Sequence, residues 1–135
     1  MLKDEKLLLS IRILIAEDAT DIRLLMSRLL TRQGAVVVVA EHGIDAVAKV
    51  KESGSDFDIV LMDLQMPTMG GHEAAPLIRA EGYTGPIIAL TGHSVEYAKE
   101  QDNAFAFDGY LLKPVTTQAL ISKILEHCLV KTDSN

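Results

Sequence analysis

The sequence predicts an α/β fold with a five-stranded parallel sheet and helices on both faces. Five short apolar runs alternate along the chain with five stretches whose apolar residues recur at helical spacing. The runs do not alternate apolar with polar residues, which is typical of parallel strands that helices cover on both sides. The chain has 135 residues, 48% of them hydrophobic, which fits one domain with a substantial core.

The first half of the chain has the clearest pattern. Strands and helices are predicted alternately, beginning with a strand, at residues 11–16, 20–33, 36–40, 43–53 and 58–62. The strand segments are β-branched and too short for helices of their own. Gly34 is placed to end the first helix.

The second half continues the alternation with weaker signals. It predicts a loop at 67–71, a helix at 71–80, a strand at 86–91, a weak helix at 95–104, a strand at 109–112 and a strongly patterned helix at 116–129. Pro76 removes an internal hydrogen bond from the third helix unless that helix begins late enough to place the proline in its first turn.

Composition and termini limit the possible functions. The formal net charge of −6 argues against nucleic acid or an anionic membrane as a direct partner. The single cysteine, Cys128, excludes an internal disulfide and lies at helical spacing with apolar residues, so we expect it to be buried. No apolar run is long enough to span a membrane, and residues 1–10 lack the features of a signal peptide. We expect a cytoplasmic protein with an extension at 1–10, a domain at 11–130 and a polar tail at 131–135.

Polar side chains follow the predicted strands. Glu17 and Asp18 come after the first strand and Asp63 after the third, while Thr91 ends the fourth and Lys113 follows the fifth. Ligands of open parallel sheets bind beyond the carboxyl ends of the strands. Three carboxylates, a hydroxyl and an amine are therefore expected to meet at one edge.

The chemistry of that edge favours magnesium and phosphoryl transfer. Clustered carboxylates repel one another, and a divalent cation removes the repulsion. Oxygen ligands without a histidine or cysteine cluster favour Mg²⁺. A carboxylate at such a site is a nucleophile for phosphorus, with Mg²⁺, Lys113 and Thr91 neutralising the transferred charge.

Structural roles are the alternative for each of these residues alone. An acid after a strand commonly caps the next helix, and Asp18 or Thr20 fits that role. A functional site is favoured because four of the five strand ends carry suitable groups. The three histidines His42, His72 and His127 share no metal-ligand spacing and are expected at surface or helix-edge positions.

The chain resembles the receiver domain of bacterial two-component response regulators. The matching segments are residues 13–18, 58–67, 87–91 and 109–114, and the resemblance extends from about residue 11 to residue 129. It implies the flavodoxin-like (βα)5 fold with strand order 2-1-3-4-5. It also implies a phosphorylation switch whose donor is a histidine kinase or a histidine phosphotransfer domain.

The resemblance assigns roles to individual residues. Asp63 is the implied phosphoacceptor, Asp18 the direct Mg²⁺ ligand, Glu17 a ligand through water and the Gln65 backbone carbonyl a further ligand. Lys113 is implied to bind a phosphoryl oxygen.

Switching and signal lifetime are assigned in the same way. Thr91 also binds the phosphoryl group and moves with Tyr110, which changes the face formed by the fourth helix, fifth strand and fifth helix. That face is expected to bind a downstream protein or a second copy of the chain. Gln65 and His93 are the positions expected to tune the phosphate lifetime, and Lys113-Pro114 is expected to be a cis peptide bond.

Two other functions fit the sequence less well, and two segments differ from the usual pattern of the family. A phosphatase acting through an aspartyl phosphate needs an acid two residues after the nucleophile, and Gln65 stands there. A receiver used only for protein contacts would lack the acceptor or the lysine. The loop ends in Gly70-Gly71, so the third helix loses a capping carboxylate, and residues 104–107 lack a glycine to close the fourth helix. A single-domain regulator and the receiver of a hybrid sensor kinase both fit the sequence.

Overall fold

The computed structural model describes residues 6–53, 56–102 and 106–133, with side chains described as far as residue 128. Five parallel strands form one sheet in the order β2-β1-β3-β4-β5. The strands are β1 Arg12–Ala16, β2 Val36–Ala40, β3 Ile59–Asp63, β4 Ile87–Thr91 and β5 Gly109–Leu112. The helices are α1 Thr20–Arg32, α2 Gly43–Ser53, α3 Gly71–Ala80, α4 Val95–Glu100 and α5 Thr117–Asp133. The predicted fold class and strand order are confirmed.

The sheet separates two apolar cores. On one face, residues of α2 and α3 such as Val50 and Ile78 pack on alternate strand residues. On the other face, residues of α1 and α5 such as Leu30 and Ile124 pack on the remaining strand residues. Cys128 lies in this second core, as predicted. Because both faces are covered, every residue of β3 and β4 is buried, and both strands are apolar up to their last residues, Asp63 and Thr91.

The strand register brings the carboxyl ends together. Ala16 is paired with Met62, so the residues that follow β1 are level with the end of β3. Asp63 is paired with Leu90, and Thr91 with Leu112. Between neighbouring strands the polar residues are therefore offset by only one position: Thr91 follows the partner of Asp63, and Lys113 follows the partner of Thr91.

Several predicted details are wrong. The edge strands β2 and β5 are only partly buried, since each has a neighbour on one side only. Helix α4 ends at Glu100 rather than at residue 104, which lies outside the described residues. Helix α5 continues to Asp133, beyond the predicted end at residue 129 and into the predicted tail.

Pro76 lies inside α3 rather than in its first turn. The helix begins at Gly71, so the explanation by a late start is wrong. Helix α3 lacks a side-chain cap, as predicted from Gly70, and the Gly70 N–H is instead 3.4 Å from Glu73 Oε1. Glu73 thereby provides an acceptor for the N–H of the residue before the helix, which is the half of a capping box that needs no side chain at position 70.

The described part of the N-terminal segment contacts the domain. Leu8 is fully buried in the core between α1 and α5. Its backbone N–H donates to Gln33 O at 2.9 Å, and Ser10 N–H donates to Gly34 O at 3.0 Å. The domain limits at residues 11 and 130 stay a prediction.

Candidate functional site

Three carboxylates meet at the carboxyl edge of the sheet. Oxygen atoms of Glu17, Asp18 and Asp63 all lie within 4.8 Å of one another. Glu17 and Asp63 are each only 1% exposed, whereas Asp18 is exposed. The β1–β3 register explains the meeting, because it places the residues after Ala16 level with the end of β3. The sequence prediction that these acids converge is confirmed.

Lys113 completes the charge cluster. Its Nζ atom lies 3.0 Å from Asp63 Oδ2 and 3.3 Å from Glu17 Oε1. Burial opposes the charge of this lysine, but the hydrogen bond and negative charge of Asp63, together with those of Glu17, raise its pKa above the ordinary value. The ammonium therefore stays charged at neutral pH. The Lys113-Pro114 peptide bond is cis, as predicted.

Burial in the cluster disfavours the charged form of Glu17. Burial first, and then the negative charge of Asp63, raise its pKa, while a hydrogen bond from the Ala19 N–H and the charge of Lys113 act in the opposite direction. Its buried Oε1 atom has the Lys113 ammonium as an ion-pair partner at 3.3 Å, but no contact with this atom has good hydrogen-bond geometry. The second buried oxygen of the pair is therefore held mainly by charge.

The donor set fits a hard divalent cation. The cluster offers oxygens of three carboxylates, Glu17, Asp18 and Asp63, and no histidine or cysteine takes part in it. Mg²⁺ prefers such oxygen ligands and keeps several waters, which suits a cluster with one exposed member, Asp18.

The Asp63 carboxylate is held by the loop that follows it. Its Oδ1 atom accepts a hydrogen bond from the Gln65 N–H at 3.0 Å, and its Oδ2 atom faces Lys113. Gly71 lies against the same backbone, because a Cβ atom at that position would be 2.8 Å from Asp63 O. We call residues 64–70, between β3 and α3, the acceptor loop after the predicted role of Asp63. A side chain at position 71 would push this loop out of place, so the close approach of the Asp63 backbone requires glycine there.

Thr91 faces the loop between β4 and α4. The side chain is buried, its hydroxyl accepts from the His93 N–H at 3.0 Å and is 3.2 Å from His93 O. The His93 ring is exposed and lies 5.1 Å from the Tyr97 ring. A cavity of about 180 Å³ is lined by Thr91, His93 and Gln65, among others. The predicted lifetime positions thus border one space next to the acceptor loop.

Tyr110 lies on the α4–β5 side of the domain and is held by an acid that the sequence did not single out. Its hydroxyl donates to Asp102 Oδ2 at 3.0 Å. The ring centroid is 5.8 Å from that of Phe107 and 5.9 Å from Lys99 Nζ. Tyr110 and Thr91 therefore have separate hydrogen-bond partners, and the structure does not join them directly.

The structure contradicts the side-chain cap expected for α1 and agrees with the helix-edge role expected for His42. Helix α1 is capped by Ala19 without a side-chain hydrogen bond, so neither Asp18 nor Thr20 caps it. His42 has a structural role, because its Nδ1 atom accepts from the Asp45 N–H at the start of α2. The His72 ring is partly buried, and burial lowers its pKa.

Sequence reasoning missed three residues that position the site or its surroundings. Arg23 donates to Glu17 O at 2.9 Å and so fixes the backbone of the acidic pair. Arg79 donates to three backbone carbonyls and to Asp108, and Asp102 holds Tyr110. Only Arg23 had a sequence signal, since it lies in the first turn of α1, shortly after Glu17 and Asp18.

Comparisons with known proteins agree with the geometry. Residues 13–125 match the family model described as a response regulator receiver domain. Sensor protein GacS of Pseudomonas syringae pv. syringae is 38% identical over 120 residues, which are 85% of this chain and 13% of that protein. Two-component response regulator ORR41 of Oryza sativa subsp. japonica is 36% identical over 112 residues, covering 82% of this chain and 88% of that protein.

A solved structure shows the same fold with a metal. The receiver domain of sensor histidine kinase PA1611 from Pseudomonas aeruginosa PAO1 is 28% identical, with a TM-score of 0.78 over 87% of this chain and 97% of that chain. That structure has a magnesium ion coordinated in its active site cleft.

Within the described part of this chain, no helix is both long and apolar enough to cross a membrane.

Proposed function

The chain belongs to the response regulator receiver domain family, and we propose that it accepts a phosphoryl group on Asp63 from a phosphohistidine donor. One observation carries the proposal: the buried Asp63 carboxylate faces Lys113 Nζ at 3.0 Å inside a cluster of three acids. A buried acid paired with an ammonium and flanked by further acids is costly for stability alone, and it suits transfer of a dianionic group.

The transfer itself needs few protein groups. An Asp63 oxygen attacks phosphorus, the P–N bond of the phosphohistidine breaks, and the released imidazole takes up a proton from solvent. Lys113, which faces Asp63 Oδ2, pairs with a phosphoryl oxygen once the acyl phosphate forms. Asp18, Asp63 and the Gln65 carbonyl would hold Mg²⁺ directly and Glu17 through water; the ion would neutralise phosphoryl charge.

The donor is proposed to be a histidine kinase or a histidine phosphotransfer domain. An apolar groove of about 410 Å³ between α1 and α5 adjoins Glu17 and Lys113. Leu25, 57% exposed, borders this groove and offers apolar contact to a helical donor. No direct nucleic acid or membrane contact is proposed, and the site of action is the cytoplasm, where ATP supplies phosphohistidine donors.

Hydrolysis ends the signal. A water attacks phosphorus, the acyl oxygen–phosphorus bond breaks, and Asp63 and inorganic phosphate are released. Gln65 and His93 border the cavity beside the acceptor loop and are proposed to tune this rate. The His93 ring, which is exposed beside this cavity, could position the attacking water or pair with the phosphoryl group.

The output is proposed to be a change of the face formed by α4, β5 and α5. Thr91 leaves its bonds with the His93 backbone to bind the phosphoryl group, and Tyr110 then becomes buried. The charge of the phosphoryl group thereby shifts this face between two conformations, one with Tyr110 at the surface and one with Tyr110 buried. The changed face binds a downstream protein or a second copy of the chain in a symmetric pair.

Labelling by a small phosphodonor tests the proposal. Acetyl phosphate with Mg²⁺ should add one phosphoryl group to the wild-type chain, measured by intact mass, and none to Asp63→Ala. Asp21→Asn is the matched control, because Asp21 is an exposed acid on α1 outside the cluster. Equal labelling of Asp63→Ala and wild type would contradict the proposal, and catalytic release of phosphate over many turnovers would indicate a phosphatase instead.

A further inference from the structure

Asp102 accepts three hydrogen bonds that join the end of α4 to β5. Its Oδ1 atom accepts from the Ala106 N–H at 3.0 Å, and its Oδ2 atom accepts from the Phe107 N–H at 3.3 Å and from the Tyr110 hydroxyl at 3.0 Å. We call these three bonds the Asp102 clamp. The carboxylate supplies acceptors for two backbone N–H groups just before β5.

The clamp fixes the hydroxyl end of Tyr110. The ring lies close to the Phe107 ring and to the Lys99 ammonium, at 5.8 and 5.9 Å from its centroid. Burial, followed by the hydrogen bond and charge of Asp102, raises the pKa of Tyr110, so the phenol remains a donor at neutral pH. A hydrogen bond to an ionised acceptor is stronger than one between neutral groups, so this bond dominates the position of the ring.

We propose that Asp102 is a positioning residue that holds Tyr110 at the α4–β5 surface before phosphorylation and thereby opposes the switch. The inference rests on the proposed function, because it concerns the tyrosine that the proposed switch buries. In this structure each of the two moving groups has its own restraint: the His93 backbone holds Thr91, and Asp102 holds Tyr110. Phosphorylation must break both.

The clamp has a measurable thermodynamic consequence. Losing the phenol–carboxylate bond shifts the equilibrium toward the state with buried Tyr110, and a ligand that prefers that state then binds more tightly. A typical net hydrogen bond corresponds to a shift of about three- to tenfold in an equilibrium constant, and a bond to a charged group can exceed that range. Beryllofluoride, a phosphoryl mimic, reports this shift because it binds the acceptor carboxylate without a covalent step.

A double-mutant cycle tests the inference. The dissociation constant of beryllofluoride at saturating Mg²⁺ is measured by NMR titration for wild type, Asp102→Asn, Tyr110→Phe and the double variant. Each single substitution should tighten binding about three- to tenfold, and the double variant should bind no more tightly than the tighter single variant. Glu100→Gln, the control, removes the same charge from an exposed position on α4 and should leave the constant unchanged.

The outcomes separate the clamp from the proposed function. Tyr110→Phe leaves both backbone bonds of Asp102 in place, so an unchanged constant in that folded variant overturns the clamp even where Asp102→Asn does not fold. Multiplicative effects in the double variant also overturn it, since Asp102 would then act without Tyr110. If these results occur while acetyl phosphate still labels Asp63, the proposed function stands; if Asp63 is not labelled, both proposals fail.

Discussion

Replacing Lys113 with methionine removes the only cation that the structure places, within its described part, against the buried acids. Nζ lies 3.0 Å from Asp63 Oδ2 and 3.3 Å from Glu17 Oε1. At an effective dielectric constant of about 20, each pair corresponds to a gross attraction of about 5 kcal/mol. The lysine side chain is 28% exposed, so water screens the attraction. Breaking a buried ion pair costs about 3–5 kcal/mol, and with this screening we expect a loss of about 2–3 kcal/mol.

The loss should depend on Mg²⁺. In EDTA, Lys113→Met should lower Tm by roughly 6–12 °C for a domain of this size. Saturating Mg²⁺ should reduce that difference by at least half, because the ion neutralises the same carboxylates and binds only the folded state. Thermal unfolding followed by circular dichroism in both conditions measures the effect.

An exposed ion pair provides the control. Lys49 Nζ is 3.9 Å from Asp45 Oδ1 on the surface of α2, so Lys49→Met should change stability by less than about 0.5 kcal/mol in either condition. A Lys113→Met loss that is equal with and without Mg²⁺, or no larger than that of Lys49→Met, would refute the electrostatic reasoning.

Substitutions at four other positions test separate features. Glu17→Gln should raise the free energy of unfolding at pH 7 without metal, because the raised pKa of Glu17 means that its charged form opposes folding. Urea unfolding at several pH values measures this gain, which should vanish as the pH falls and the wild-type carboxyl becomes protonated. Arg79→Met should cost about 3 kcal/mol or more in urea unfolding, because three backbone carbonyls lose their donor. Gly71→Ala should lower both Tm and the rate of Asp63 labelling, since its Cβ would meet Asp63 O. His93→Ala should change the dephosphorylation rate, measured from about pH 6 to 8, because the histidine borders the cavity beside the acceptor loop.

Each of these has a clear contrary result. A Glu17→Gln protein that is less stable than wild type at pH 7 would show that the attraction to Lys113 outweighs burial. An Arg79→Met loss below about 1 kcal/mol would mean that water satisfies the carbonyls. Wild-type labelling by Gly71→Ala would show that the acceptor loop tolerates a shift, and superimposable pH profiles would remove His93 from hydrolysis.

The fold and the main site were predictable because both depend on simple rules. Strands buried on both faces must be apolar throughout, and β3 meets that requirement at every position before Asp63. Parallel strands end at one edge, so the polar residues after β1, β3 and β5 had to meet there. Asp63 and Lys113 therefore followed from position and chemistry before any coordinates were known.

The positioning residues were not predictable for an equally physical reason. Arg79 bonds the backbone of Ala106, 27 residues away, and backbone partners leave no trace in side-chain pattern. Asp102 accepts from two backbone N–H groups in a segment without periodicity. Helix α4 was predicted too long because residue spacing alone does not show that the helix ends at Glu100, with Gln101 as its C-cap.

Chemical mapping of the phosphorylated residue tests the central claim most directly. The chain is incubated with Mg²⁺ and a phosphorylated histidine phosphotransfer domain, and the product is reduced with borohydride, which converts an aspartyl phosphate to homoserine. Peptide mass spectrometry should find homoserine at position 63 alone, and hydroxylamine treatment beforehand should abolish it. Homoserine at position 18, or a reduced glutamate at position 17, would contradict the assignment of Asp63 as the phosphoacceptor. A phosphoryl group that resists hydroxylamine would contradict it as well.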